Sequence, residues 1–244
     1  MDLNNDFQEL ICRCNEIDAL IDEQVVSGNE NSIRILDGIV DVEKYYKAKY
    51  KIMWILKEPY DEGDGTGGDW DLREVVKSKN TIYDFASGRQ TFRPMIYASW
   101  GILNEFCLYD DMEFVEKDPS MLNALKSVAY INVKKLPGFT ASVNSIISQA
   151  YNKYKDILLK QMEVYDADII IGGSTLHNFL GDLGIEKNKM IKYGSLNYSI
   201  KEGTVYMDAY HPSQRPSSTG VLAEQYCNDI INIAKIFAQS ATPP

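Results

Sequence analysis

Two short segments concentrate the side chains that could carry chemistry. In Lys57-Glu58-Pro59-Tyr60, a carboxylate follows an apolar run and precedes a proline. Proline fixes its own backbone angle and restricts the residue before it, so Glu58 is held on a stiff loop. A carboxylate held this way can orient or deprotonate a water molecule. In His211-Pro212-Ser213, an imidazole is followed two residues later by a hydroxyl. Imidazole donates or accepts a hydrogen bond near neutral pH. Serine offers a hydroxyl and a backbone N–H, a usual pair for holding phosphate. The chain has two histidines; the other, His177, falls early in a helical pattern and is given no role.

Three further patterns lead elsewhere. Gly63-Asp64-Gly65-Thr66-Gly67-Gly68 matches the letters of a dinucleotide fingerprint. Pro59 and five other residues separate it from the strand end, and Asp61, Glu62, Asp64, Asp69 and Asp71 surround it with charge that opposes a pyrophosphate. No lysine follows the glycines as in a P-loop, and the acid spacing does not fit an EF-hand. A flexible lid or substrate loop is the expectation. The four cysteines, Cys12, Cys14, Cys107 and Cys227, show no zinc or iron–sulfur spacing. A site with neither metal nor cofactor is expected.

The elements that must position Glu58 and His211 follow from hydrophobic periodicity. Apolar residues at Phe7, Leu10, Cys14, Ile17 and Ile21 predict an amphipathic helix over about 4–25. Strands are expected over 50–56, 127–133, 168–173 and 205–209. Helices are expected over 93–108 and 142–163, after Ser174, and from about 219 to 238. Alternating strands and helices, with nearly continuous apolar strands, indicate a parallel sheet covered on both faces. The expectation is one α/β domain over 1–244 around four parallel strands. In such sheets ligands sit outside the carboxyl ends of the strands. Glu58, Asn132 with Lys134 and Lys135, Gly172-Gly173-Ser174, and His211 all fall at such ends.

Hydrophobic residues make up 45% and charged residues 25%, the balance of a globular protein. No apolar run reaches the roughly 18 residues of a membrane helix. The acidic start, Met1-Asp2-Leu3-Asn4-Asn5-Asp6, lacks the basic opening of a signal peptide. A cytoplasmic protein without membrane contact is expected. The formal net charge is −10, so a nucleic-acid partner requires a local basic surface. Lys57, Arg73, Arg89, Arg93, Lys134, Lys135 and Arg215 fall in loops or helix starts that follow the strands. The acids gather in 1–30, 110–118 and 163–168. Lys134, Lys135 and Arg215, with Ser213, are the expected phosphate contacts.

Taken in order, strand–K-E-P-Y, strand–I-N-V-K-K-L-P-G, strand–G-G-S and strand–H-P-S-Q-R resemble the uracil-DNA glycosylase superfamily over roughly residues 50 to 238. That resemblance implies a three-layer α/β/α fold with a central four-stranded parallel sheet. It implies that Glu58 activates water and His211 stabilises the departing base. Tyr60 would screen the C5 position, Asn132 would read the pyrimidine edge, and Ser213 would contact phosphate. Trp70 or Phe85 would stack on the base. The function implied is excision of uracil or a related damaged base from nucleic acid by water attack at the sugar, with DNA, single-stranded DNA included, as the partner. The alternative is an inactive relative that binds a nucleobase, a nucleotide or a protein. After H-P-S the chain reads Gln214-Arg215-Pro216-Ser217-Ser218, where the family carries a leucine-bearing wedge.

Overall fold

Residues 52–56, 128–132 and 169–173 are buried at every position, as strands covered on both faces must be. The computed structural model describes residues 3–139 and 141–241. Its first half runs α1 (Leu3–Gln24), β1 (Gly38–Ile39), α2 (Val42–Lys47), β2 (Ile52–Leu56), β3 (Tyr60–Gly63), α3 (Leu72–Lys77), α4 (Arg89–Leu103) and α5 (Asn123–Lys126). The second half runs β4 (Val128–Asn132), β5 (Gly138–Phe139), α6 (Asn144–Tyr165), β6 (Ile169–Gly173), β7 (Ile191–Tyr193), β8 (Leu196–Lys201), β9 (Thr204–Ala209), α7 (Pro216–Thr219) and α8 (Ala223–Ala241).

Among the described residues, seven strands form one mixed sheet in the order β1-β4-β2-β6-β9-β8-β7. The stretch β4-β2-β6-β9 is parallel throughout. The expected sheet of four parallel strands alone is therefore corrected. β1 adds an antiparallel edge beside β4, and β8 and β7 extend the other side as antiparallel hairpins. The hairpin signal is local. Glu202 and Gly203 both take positive φ, 52° and 83°, between paired Lys201 and Thr204. A two-residue turn of that kind matches the twist of a β-hairpin. In β8, buried Leu196 and Tyr198 alternate with less buried neighbours, as a strand with one covered face should.

Alternation along β2 splits the core. Ile52, Trp54 and Leu56 face α4 and α8, packing with Ile96, Ile230 and Ala234. Met53 and Ile55 face α1 and α6, packing with Ile17, Ile21 and Leu158. Trp54 on the first face donates Nε1–H to Ser99 Oγ of α4 at 3.0 Å, which satisfies the one polar atom of a fully buried ring. The helix expected after Ser174 is only a 3₁₀ turn, Leu176–Asn178. Among the described residues, no helix is long and apolar enough to cross a membrane.

Candidate active site

The parallel ladder between β2 and β4 continues past the strands and brings the first functional pair together. Val133 N–H donates to Leu56 O and Lys134 N–H to Lys57 O, each at 2.9 Å. This register carries Lys134 alongside Glu58, and Lys134 Nζ donates to Glu58 Oε2 at 2.9 Å. The pair is sheltered, with side-chain exposures of 12% for Lys134 and 5% for Glu58. Lys134 also donates to Pro137 O at 2.7 Å and lies 5.5 Å from the Phe139 ring centroid. Gly138 closes this corner. Its N–H donates to Pro59 O at 2.7 Å, and a Cβ there would stand 2.5 Å from Glu58 Cγ.

His211 leaves β9 under a separate set of restraints. Its backbone N–H donates to Ser174 Oγ at 2.9 Å, and Ser174, at φ 60°, donates its own N–H to Ala209 O. The ring Nδ1 lies 2.8 Å from Ser213 Oγ and accepts the Ser213 backbone N–H at 3.3 Å. A backbone N–H only donates, so Nδ1 is the accepting nitrogen and the neutral ring carries its proton on Nε2. Burial, aided by the positive charge of Lys57, pulls the His211 pKa down to about 4. Lys57 is itself lowered by burial, with Glu58 opposing the shift.

Glu58 and His211 line one cleft of about 820 Å3 at the carboxyl edge of the sheet. Its walls are aromatic. Phe85 packs on Phe92 with centroids 4.3 Å apart, and Phe92 meets Tyr130 edge-on at 5.9 Å. Tyr60, 56% exposed, stands at the mouth. Trp70 lines the same cleft and donates Nε1–H to Asp61 Oδ2 at 2.9 Å. Both aromatics expected as stacking candidates, Trp70 and Phe85, therefore border the space; Tyr130 lies within an ordinary strand pattern, and Phe92 belongs to the first turn of α4, which starts four residues before the expected helix.

The Gly-rich segment is tied down, contrary to the flexible lid expected. Asp61 Oδ2 also accepts Gly68 N–H at 2.7 Å. Gly67 exchanges backbone bonds with Asn31 and Ile33 at 2.7 and 2.8 Å. Gly67 and Gly68 hold φ of 90° and 101°, and a Cβ on either would collide with Asp61 or the Ile33 carbonyl. Close backbone approach explains these glycines, and no phosphate is needed to account for them.

Two expected contacts take different places. Lys135, read as a phosphate ligand, is wholly buried. Its Nζ donates to Asp37 Oδ1 and Oδ2 at 2.7 and 2.9 Å and to Gln161 Oε1 at 2.8 Å. Burial lowers its pKa, with Asp37 opposing. Lys134 N–H donates to Lys57 O beside Glu58, while Lys135 O accepts Ile35 N–H at 2.7 Å beside the Asp37 segment, so consecutive lysines serve different acids. Asn132, read as the base-reading amide, is 1% exposed and does not line the cleft; Tyr130, two residues earlier on the same face, does. Asn132 N–H donates to Asp37 Oδ2 at 2.7 Å, while its Oδ1 is buried and has no hydrogen-bond partner among the described residues.

The basic residues also divide. Arg73 is bound to Asp18 and Asp71, away from the cleft. Arg89, Arg93 and exposed Arg215 line an adjoining cavity, and Ser213 borders both spaces. Lys134 is held by Glu58 and so is not free for phosphate. Among the described residues, no group of histidine, cysteine and acidic side chains could hold a metal ion. No protein-family model matches this chain, and no curated protein matches it.

Proposed function

We propose that this protein is a uracil-DNA glycosylase-like N-glycosylase that removes uracil or a related base from nucleic acid. The observation that carries the reading is the meeting of a sheltered carboxylate, Glu58, and a neutral imidazole, His211, in one aromatic-walled cleft. In this reading the parallel stretch β4-β2-β6-β9 corresponds to the superfamily's central sheet, and the antiparallel edges are additions to it.

The chemistry follows from the two groups. Breaking the C1′–N1 bond sends its electron pair to the base and leaves positive character on the sugar. A neutral His211 donates Nε2–H to the base oxygen where negative charge collects, and the donor is fixed before the reaction begins. Glu58 places negative charge near the cationic sugar and orients the attacking water. The base leaves its stack to enter the cleft. There it is sandwiched by Trp70 or Phe85, with Tyr60 at the rim.

A second reading rests on one observation. Lys134 Nζ donates to Glu58 Oε2, as it would in a relative that binds a nucleobase without cleaving it. One experiment separates the two. Single- and double-stranded oligonucleotides containing uracil are incubated with the protein, and abasic sites are revealed by alkali. For an active enzyme, Glu58→Gln cuts single-turnover base release by about 10²–10⁴-fold and leaves binding nearly intact. His211→Asn costs roughly 10²–10³-fold. Absence of base release by the wild type, with a base bound in the cleft, supports the binding module.

A further inference from the structure

Beside the base cleft, and sharing Ala86, Gln90, Ser213 and Gln214 with it, lies a second cavity of about 470 Å3. Its wall carries three guanidinium groups, Arg89 and Arg93 from the start of α4 and Arg215 from the loop after β9. Among the described residues, no carboxylate lines it. In a chain of net charge −10 this is a local reversal of sign.

The three cations are not equally available. Arg93 is paired with Glu116, so its charge is compensated. Arg89 donates Nε–H to Ala86 O at 3.0 Å and lies 5.7 Å from the Tyr83 ring centroid, and neither partner neutralises it. Arg215 is exposed and its guanidinium has no hydrogen bond or ion pair among the described residues. α4 follows directly on a 3₁₀ helix, Ile82–Gly88, and the Arg89 backbone N–H donates to Ala86 O, so the positive charge of this wall comes from the side chains. The lysines that the sequence offered for phosphate are meanwhile held by Glu58 and Asp37.

We propose that this cavity is an anion subsite that takes a phosphate group of the nucleotide whose base enters the cleft, with Arg89 and Arg215 as its ligands. The placement of the base rests on the glycosylase-like reading; the anion subsite itself rests on the cavity and its charges. The phosphate is either a phosphodiester of a strand or the terminal phosphate of a free nucleotide.

The test uses a short single-stranded oligonucleotide carrying 2′-fluoro-deoxyuridine, which resists cleavage, together with dUMP and deoxyuridine. Binding is followed by anisotropy and competition at several salt concentrations for wild type, Arg89→Gln, Arg215→Gln and the double variant. Both arginines are exposed, so the fold tolerates their loss. The dissociation constant should rise about tenfold for each lost charge-assisted contact. The logarithmic salt slope should flatten by roughly 0.7 for each phosphate contact released. A preference of wild type for dUMP over deoxyuridine that disappears in the double variant assigns a terminal phosphate. Weakened strand binding without that preference assigns a phosphodiester. Affinities and salt slopes unchanged in the double variant for both ligands overturn the subsite. Arginine-dependent binding by a wild type that releases no base keeps the subsite and removes the glycosylase reading.

Discussion

Lys134 Nζ stands 2.9 Å from Glu58 Oε2 at the foot of the cleft, held there by the last ladder bonds between the ends of β2 and β4. With exposures of 12% and 5%, neither charge has water enough to replace its partner. Lys134→Met should therefore destabilise the protein by about 3 kcal/mol, well above the cost for an exposed pair. Adding Glu58→Gln should return part of that loss, since the uncompensated charge is gone. Urea denaturation of the two single variants and the double gives the coupling. Strictly additive losses would show that the pair does not interact in solution.

His211 makes stability depend on pH in a defined window. Its pKa in the fold is about 4, against an ordinary 6.5 in the unfolded chain. Between these values the unfolded state binds the extra proton, so stability is lost as pH falls through the window. The shift corresponds to a loss on the order of 3 kcal/mol across it. His211→Asn cannot titrate, so it should lose less stability than wild type between about pH 7 and pH 4.5. Parallel loss in both proteins, measured by chemical denaturation at each pH, would mean that the ring is solvated.

Gly138 is expected to control activity through space alone. A methyl group there would stand 2.5 Å from Glu58 Cγ, and the carboxylate must move to admit it. Gly138→Ala should lower single-turnover base release by about 10²-fold, the order associated with a displacement of about 1 Å at a reacting centre. Overpacking should cost about 1–3 kcal/mol of stability. Full activity with a normal melting transition would place the Glu58 side chain elsewhere.

Lys135 and Arg215 should behave as opposites. Lys135→Met strands Asp37 in the interior and should cost about 3–5 kcal/mol, with the salt dependence of strand binding unchanged. Arg215→Gln should leave stability within about 0.5 kcal/mol and flatten the salt dependence. Denaturation curves and binding isotherms on the same preparations check both halves.

The sequence was most informative where short-range rules apply. The stripe from Phe7 to Ile21 gave a helix at Leu3–Gln24, and the apolar runs gave β2, β4 and β6 within two residues. Local chemistry was also present for the β8–β9 hairpin at Glu202-Gly203, but it lay between strands less apolar than the rest and went unread. The same limit applied to β1, whose two residues carry no periodicity at all.

By itself, the sequence determined that a carboxylate and an imidazole would each follow a strand and precede a proline. Residue type, strand burial and proline geometry are local properties, and Glu58 and His211 indeed share one cleft. Only the tertiary structure decided which neighbours neutralise which charges. Lys134 and Lys135 are adjacent and chemically alike in the chain, yet one reaches Glu58 in the cleft and the other reaches Asp37 in the core. Ion pairing depends on distances of a few ångströms between segments 76 and 98 residues apart. No local pattern records such distances; they are set when strand register brings Lys57 beside Lys134 and Ile35 beside Lys135.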